Sequence, residues 1–162
     1  MKFAHMSDCH VGGWREEKLK ELSIVAFEKA IEICVNENVA FVLISGDFFN
    51  TSLPSIDILK RAAQSLDKLR ENDISCYIIP GSHDFSPSGR TMLDVLEKAG
   101  LVENVMKFKD NNLVFTIDKT NIKITGIYGL RASLDKNIYK NLDKEKYANE
   151  KGFKIFMFHV AL

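Results

Sequence analysis

Residues 39–50 read Val-Ala-Phe-Val-Leu-Ile-Ser-Gly-Asp-Phe-Phe-Asn, an unbroken apolar run that ends on a glycine and a carboxylate. A run this short with no polar alternation is the pattern of a strand covered on both faces, as in a parallel sheet with helices against it. On its N-terminal side, residues 3–6 form a shorter strand candidate. A Gly12-Gly13 loop follows, then a stretch in which Leu19, Leu22, Ala26, Ala30 and Ile33 recur at helical spacing. On its C-terminal side a second helix begins near Pro54, with Thr51 or Ser52 placed to cap it and Leu59, Ala63, Leu66 and Leu69 as its buried stripe. Residues 74–80 are the third strand, and Thr91 with Asp94 makes a capping-box start to a short helix that Gly100 ends. This βαβαβα order predicts an α/β fold with a parallel sheet and right-handed crossovers, whose strand ends share one rim.

Beyond residue 105 the pattern changes. Short alternating runs over 105–129, broken at Asp110-Asn111-Asn112 and Thr120-Asn121, predict an antiparallel meander that packs as a second sheet on the first. Leu134, Ile138 and Leu142 mark a lysine-rich helix, and 153–158 is the last strand. Its lysines at 136, 140, 144, 146 and 151 are interspersed with Asp135, Asp143, Glu145 and Glu150, which reads as a solvated face and not a nucleic-acid patch.

With 162 residues, 46% of them hydrophobic, the chain supports one domain with a sizeable core. Lys plus Arg and Asp plus Glu number 22 each, so no global field draws it to nucleic acid or anionic lipid. Cys9, Cys34 and Cys76 are odd in number and form no CxxC pair, which argues against a disulfide framework and a thiolate zinc site and fits a reducing cytoplasm. The N-terminus lacks a signal-peptide core, and the longest apolar run, 39–44, is far short of a membrane span.

The chemistry sits at the strand ends. Asp8-Cys9-His10 follows the first strand, Gly46-Asp47 the second and Gly81-Ser82-His83-Asp84 the third, while His159 ends the last. In an extended segment residues two apart point to one side, so Asp8 and His10 aim a carboxylate and an imidazole at one point. Taken singly, each peptide is an ordinary turn and His159 an ordinary strand-end histidine. Together, ligand types of this kind on one rim read as a metal site. Oxygen and imidazole donors without thiolate suit Mn²⁺, Fe or Zn.

With these spacings the chain resembles the calcineurin-like metallophosphoesterase superfamily. The pattern there is Asp-x-His, Gly-Asp, Gly-Asn-His-Asp/Glu, His and Gly-His-x-His. The opening Met-Lys-Phe-Ala-His-Met-Ser-Asp-Cys-His, the segment 44–50 and the helix over 91–100 resemble the SbcD-type nucleases, relatives of the meiotic recombination eleven nuclease of double-strand break repair. The resemblance implies a sandwich of two mixed sheets flanked by helices (αββα), with residues 1–162 as the N-terminal portion of a single nuclease domain. It implies Asp8 and His10 as ligands of one metal, Asp47 as the bridge, and position 82 and His159 as ligands of a second. His83 is then the catalytic histidine, with Asp84 behind it to orient the ring. Two divalent ions, Mn²⁺ by preference, DNA as substrate, an SbcC-type SMC-like ATPase as partner and room for a homodimer follow from the same resemblance, with no membrane association.

Three departures bear on these expectations. Ser82 stands where the family has Asn, Asn50 stands where some members have His, and the sequence stops at Leu162 before any Gly-His-x-His. The expectation is a truncated chain of impaired activity. The alternatives are a small-molecule phosphodiesterase or phosphatase of the same fold, disfavoured by the lack of Asp-Arg-Gly after Gly46-Asp47, and a degenerate non-catalytic subunit.

Overall fold

The computed structural model describes residues 1–85, 91–109, 112–129, 142 and 144–160. Strands β1 (Ala4–Met6), β2 (Phe41–Ser45), β3 (Ser75–Ile79) and β4 (Glu103–Asn104) lie in that order in one sheet, every neighbour pair parallel. Met6 lies opposite Ile44, and Ser45 opposite Ile79, so the loops after these three strands leave the sheet at the same level. Helices α1 (Glu17–Asn36) and α2 (Ile56–Glu71) are the crossovers, and α3 (Met92–Lys98) leads into β4.

β2 is buried at all five residues, as its unbroken apolar sequence requires. Its two faces serve different cores. Val42 and Ile44 pack with Ile24, Phe27 and Ile31 of α1 and with Ile58, Ala62, Leu66 and Leu69 of α2. Phe41 and Leu43 pack with Tyr77, Ile79, Ile122, Ile124 and Met157 on the other side. Each such fully buried aliphatic or aromatic side chain contributes about 1.5–3 kcal/mol relative to exposure. The centre of the sheet is therefore its most strongly held part.

The second layer is built from β7 (Thr116–Ile117), β8 (Lys123–Ile127) and β9 (Lys154–Phe158), in which β7–β8 is antiparallel and β8–β9 parallel. A separate antiparallel hairpin, β5 (Lys107–Lys109) with β6 (Asn112–Val114), precedes it. The expected meander is thus divided between two sheets, and among the described strands the first sheet is all parallel and only the second is mixed. Helix α4 (Lys144–Asn149) is tied to β6 by the Tyr147 hydroxyl, which donates to the Leu113 carbonyl at 3.1 Å. Leu134, Ile138 and the start of the lysine-rich helix lie outside the described residues.

The sheets are also joined by a polar contact. The Tyr77 hydroxyl donates to Asp118 Oδ1 at 2.7 Å, and the other oxygen of this buried carboxylate accepts from Thr120 N–H at 2.7 Å and its hydroxyl at 2.6 Å. Burial alone would push the Asp118 carboxyl upward, but these donors hold it below its ordinary value.

Two local expectations need correction. The stripe Leu19, Leu22 and Ile33 of α1 faces solvent, and the buried positions are Ile24, Phe27, Ile31 and Cys34. The reason is apolar packing: Ile24, Phe27, Ile31 and Cys34 fill the core against β2 and α2, and beside that contact Arg61 of α2 binds Glu28 through two 2.8 Å bonds and Glu21 through 2.7 and 2.8 Å bonds. Helix α2 starts at Ile56 with Ser55 as its N-cap residue, later than Thr51 or Ser52, and Ile58, Ala62, Ser65, Leu66 and Leu69 form its buried face. The capping box of α3 is present as expected. Asp94 N–H donates to Thr91 Oγ1 at 3.3 Å, Thr91 N–H donates to Asp94 Oδ2 at 2.8 Å, and Gly100 follows in the left-handed region at φ +71°.

Candidate metal centre

The loops after β1, β2 and β3 are stitched by backbone hydrogen bonds. Asp8 N–H donates to the Gly46 carbonyl at 3.1 Å, His10 N–H to Asp47 at 3.0 Å, and Gly46 N–H to Ile79 at 3.1 Å. Asp8 (φ +53°), His10 (φ +42°) and Asp47 (φ +48°) all adopt the left-handed region. This region is uncommon for residues with a Cβ, and such strain persists only where surrounding structure enforces it. Asp8 and His10 therefore converge through a left-handed turn and not through the strand pleat expected from their spacing. Gly46 is itself at φ +85°, and a Cβ there would collide with the His159 ring; a Cβ on Gly81 would collide with the Asp47 carboxylate. Both glycines are required by close approach.

Asp47, 5% exposed, divides its two oxygens. Oδ1 accepts from His83 N–H at 2.9 Å, while Oδ2 lies 3.8 Å from His10 Nε2 and 3.4 Å from His159 Nε2. Asp8 Oδ1 lies 3.9 Å from each of the same two nitrogens, and its Oδ2 accepts from Ser7 Oγ at 2.5 Å. Donor atoms gather within 4.8 Å of one another in two groups, His10–Asp47–His83 and Asp8–Asp47–His159, with Asp47 common to both. Asp8 thus stands with His159 as closely as with His10, a pairing the sequence spacing does not suggest.

The ring nitrogens are set for ligation. His159 Nδ1 lies 2.9 Å from the Ser45 carbonyl, and His83 Nδ1 lies 2.9 Å from the Asn50 carbonyl. A ring N–H given to a carbonyl leaves the lone pair on Nε2, the arrangement found in metal-bound histidines. His10 Nδ1 is buried without a partner, and its ring stands edge-on to His83 with centroids 4.9 Å apart. Among the described residues Asp8 and Asp47 pair with no lysine or arginine, only with histidines. Two carboxylates facing three imidazoles without a fixed cation suit a divalent ion. Ser82 lies with Ser7, Asp8, Gly129 and His159 around a cavity of about 460 Å³ next to this cluster.

The hydrogen bond of the His83 ring is to the Asn50 carbonyl, and the Asp84 oxygens are bonded to backbone N–H groups. The Asp84 carboxylate, 1% exposed, accepts from Phe48 N–H at 3.1 Å, Phe49 N–H at 2.9 Å and Gly81 N–H at 2.9 Å. It clamps the loop that carries Asp47 to the loop that carries His83. Burial pushes this carboxyl above its ordinary value, against the three donors that favour its charged form. The Asn50 and Ser45 carbonyls were not legible in the sequence, since every residue carries one and no side chain marks these two.

The chain belongs to the calcineurin-like phosphoesterase family, whose model matches residues 1–162. It is similar to the DNA double-strand break repair protein Mre11 of Archaeoglobus fulgidus, 33% identical over an alignment of 141 positions that covers 83% of this chain and 30% of that protein. It is also similar to the DNA double-strand break repair protein Mre11 of Methanocaldococcus jannaschii, 30% identical over a gapped alignment of 171 positions that covers 100% of this chain and 44% of that protein. The chain spans less than half the length of these curated relatives. Among solved structures, the nuclease MPE of Pseudomonas putida matches with a TM-score of 0.44 and 16% identity over 76% of this chain and 60% of that one.

Proposed function

We propose that this chain carries the centre of a metal-dependent phosphodiester hydrolase, a DNA double-strand break repair nuclease of the SbcD type that acts beside an SbcC-type ATPase in the cytoplasm. The observation that carries this reading is the single oxygen, Asp47 Oδ2, that faces both His10 Nε2 and His159 Nε2. The names of the archaeal relatives support DNA as the substrate. No helix among the described residues is long and apolar enough to cross a membrane.

In this proposal Asp8, His10, Asp47, Ser82 and His159 hold two divalent ions, Mn²⁺ by preference. Such ions, when bound, lower the pKa of water and offset the charge that develops on phosphorus. The chain's own part is placement. The Ser45 carbonyl keeps His159 Nε2 directed inward, and the Asn50 carbonyl does the same for His83. With Nδ1–H held, His83 Nε2 is the atom that meets the phosphoryl or leaving oxygen, and the ring with both nitrogens protonated gives that oxygen its Nε2 proton. Asp84 keeps the two loops at a fixed separation.

The test is Mn²⁺ uptake followed by calorimetry, together with release of nucleotides from end-labelled duplex DNA. Uptake that Asp47→Asn abolishes, and Mn²⁺-stimulated release, support the reading. No uptake by the wild-type chain selects a non-catalytic subunit, and turnover of bis-p-nitrophenyl phosphate without DNA cleavage selects a small-molecule phosphodiesterase.

A further inference from the structure

Four residues past His10, Trp14 is 68% exposed and sits at φ +72°, an unusual backbone state for so bulky a side chain. Gly13 N–H donates to the His10 carbonyl at 2.7 Å, which binds this loop to the metal centre, and Val11 pairs with Phe49 of the Asp47 loop. Four residues of chain reach at most about 14 Å, so the Trp14 backbone lies within that distance of the His10 backbone. Trp14 borders a cleft of about 250 Å³ that is distinct from the cavity beside His159. Leu53 and Pro54 give this cleft an apolar wall, and Arg15 and Lys20 supply positive charge. Glu17 lies 4.0 Å from Lys20 and is 87% exposed, so it offsets one of the two cations and leaves Arg15 as the net charge.

A large indole left in solvent, with an apolar wall and an arginine beside it, has the composition of a base-stacking site. Stacking on an aromatic ring tolerates any base, because every base has a π-face, and the neighbouring cation takes the phosphate. We propose that Trp14 is a stacking platform for a nucleobase of single-stranded DNA, at a frayed or unpaired end, with Arg15 on the adjoining phosphate. This rests on the reading of the chain as a DNA nuclease and adds the strand form and the residue that receive it. A buried tryptophan would read as core packing; this one contributes little to the core.

Trp14 is the sole tryptophan of the chain, so intrinsic fluorescence reports on this one ring. The experiment titrates the full chain, in EDTA to prevent cleavage, with a labelled oligothymidylate of about twelve nucleotides and with an abasic strand of equal length. Fluorescence and label anisotropy are followed together. The expected result is quenching by oligothymidylate but not by the abasic strand, and about tenfold weaker anisotropy binding for Trp14→Ala, with Trp14→Phe close to wild type. Binding of the labelled strand with no change in the indole signal, equal quenching by the abasic strand, or undiminished binding by Trp14→Ala would overturn the platform and leave the nuclease reading intact. No binding of the labelled strand by the wild-type chain would remove the DNA reading itself, and the platform with it.

Discussion

The His83 Nδ1 and the Asn50 carbonyl oxygen are 2.9 Å apart, so a backbone group three residues after Asp47 decides which nitrogen of the imidazole faces the centre. His83 also falls in the donor group with His10 and Asp47. The proton-transfer role and a ligand role give different results. His83→Ala should lower DNA hydrolysis by about 10²–10⁴-fold while Mn²⁺ stoichiometry measured by calorimetry stays unchanged. A drop in stoichiometry would make His83 a ligand.

Asp84 joins two loops through three backbone donors, and its removal leaves those donors buried and unpaired. Asp84→Ala should cost about 1–3 kcal/mol of stability, read as a lower urea midpoint. Asp84→Asn, which keeps one acceptor oxygen, should cost less. Equal midpoints for wild type and Asp84→Ala would remove the clamp.

Gly46 and Gly100 separate crowding from backbone strain. Both have positive φ, but a Cβ at Gly100 meets nothing within 4 Å whereas one at Gly46 strikes His159. Gly100→Ala should lose about 1 kcal/mol, the cost of left-handed backbone alone. Gly46→Ala should lose clearly more and should also weaken Mn²⁺ binding, since His159 must move. Comparable losses at both sites would contradict the close approach described for Gly46.

The Arg61 hydrogen bonds hold the Glu28 carboxyl below its ordinary value. A depressed carboxyl stabilises the fold above its unfolded pKa, and that contribution is lost as pH falls through the lowered folded value. The pair is partly exposed, so the contribution is about 0.3–1 kcal/mol. Glu28→Gln should therefore reduce the urea midpoint at pH 7 and have little effect well below pH 3. A loss of equal size at both pH values would assign the effect to packing.

Cys9 lies between two of the candidate ligands, yet burial, with Asp84 and Asp8 nearby, pushes its thiol up to about 12. Burial pushes the Cys76 thiol upward as well. Iodoacetamide at pH 8 should leave both unmodified in the folded chain and label them in urea, as mass spectrometry would show. Rapid labelling of native Cys9, which is half-buried, would contradict the raised pKa of its thiol.

The strands that carry the centre were legible because β2 and β3 are uninterrupted apolar runs, and so was the Thr91–Asp94 box, because its residues act on their own backbone. The face of α1 was not. That helix carries one apolar series at Ile24, Phe27, Ile31 and Cys34 and another at Leu19, Leu22 and Ile33. Spacing alone cannot choose between them; the choice is made by the fit of one series to β2 and to Ile58, Ala62 and Leu66 of α2, residues distant in sequence. The gathering of Asp8, His10, Asp47, His83 and His159 was legible from their places at the strand ends. The nearness of Asp8 to His159 was not, because it depends on how the sheet that carries β9 packs on the sheet that carries β1.

The left-handed backbone at Asp8, His10 and Asp47 also restricts what can replace these residues. A library randomised at the three codons and selected only for a folded product should return asparagine and glycine often and valine, isoleucine and threonine almost never. The shape of the main chain there would thus exclude branched side chains from these positions even in descendants that had lost any need for a cation.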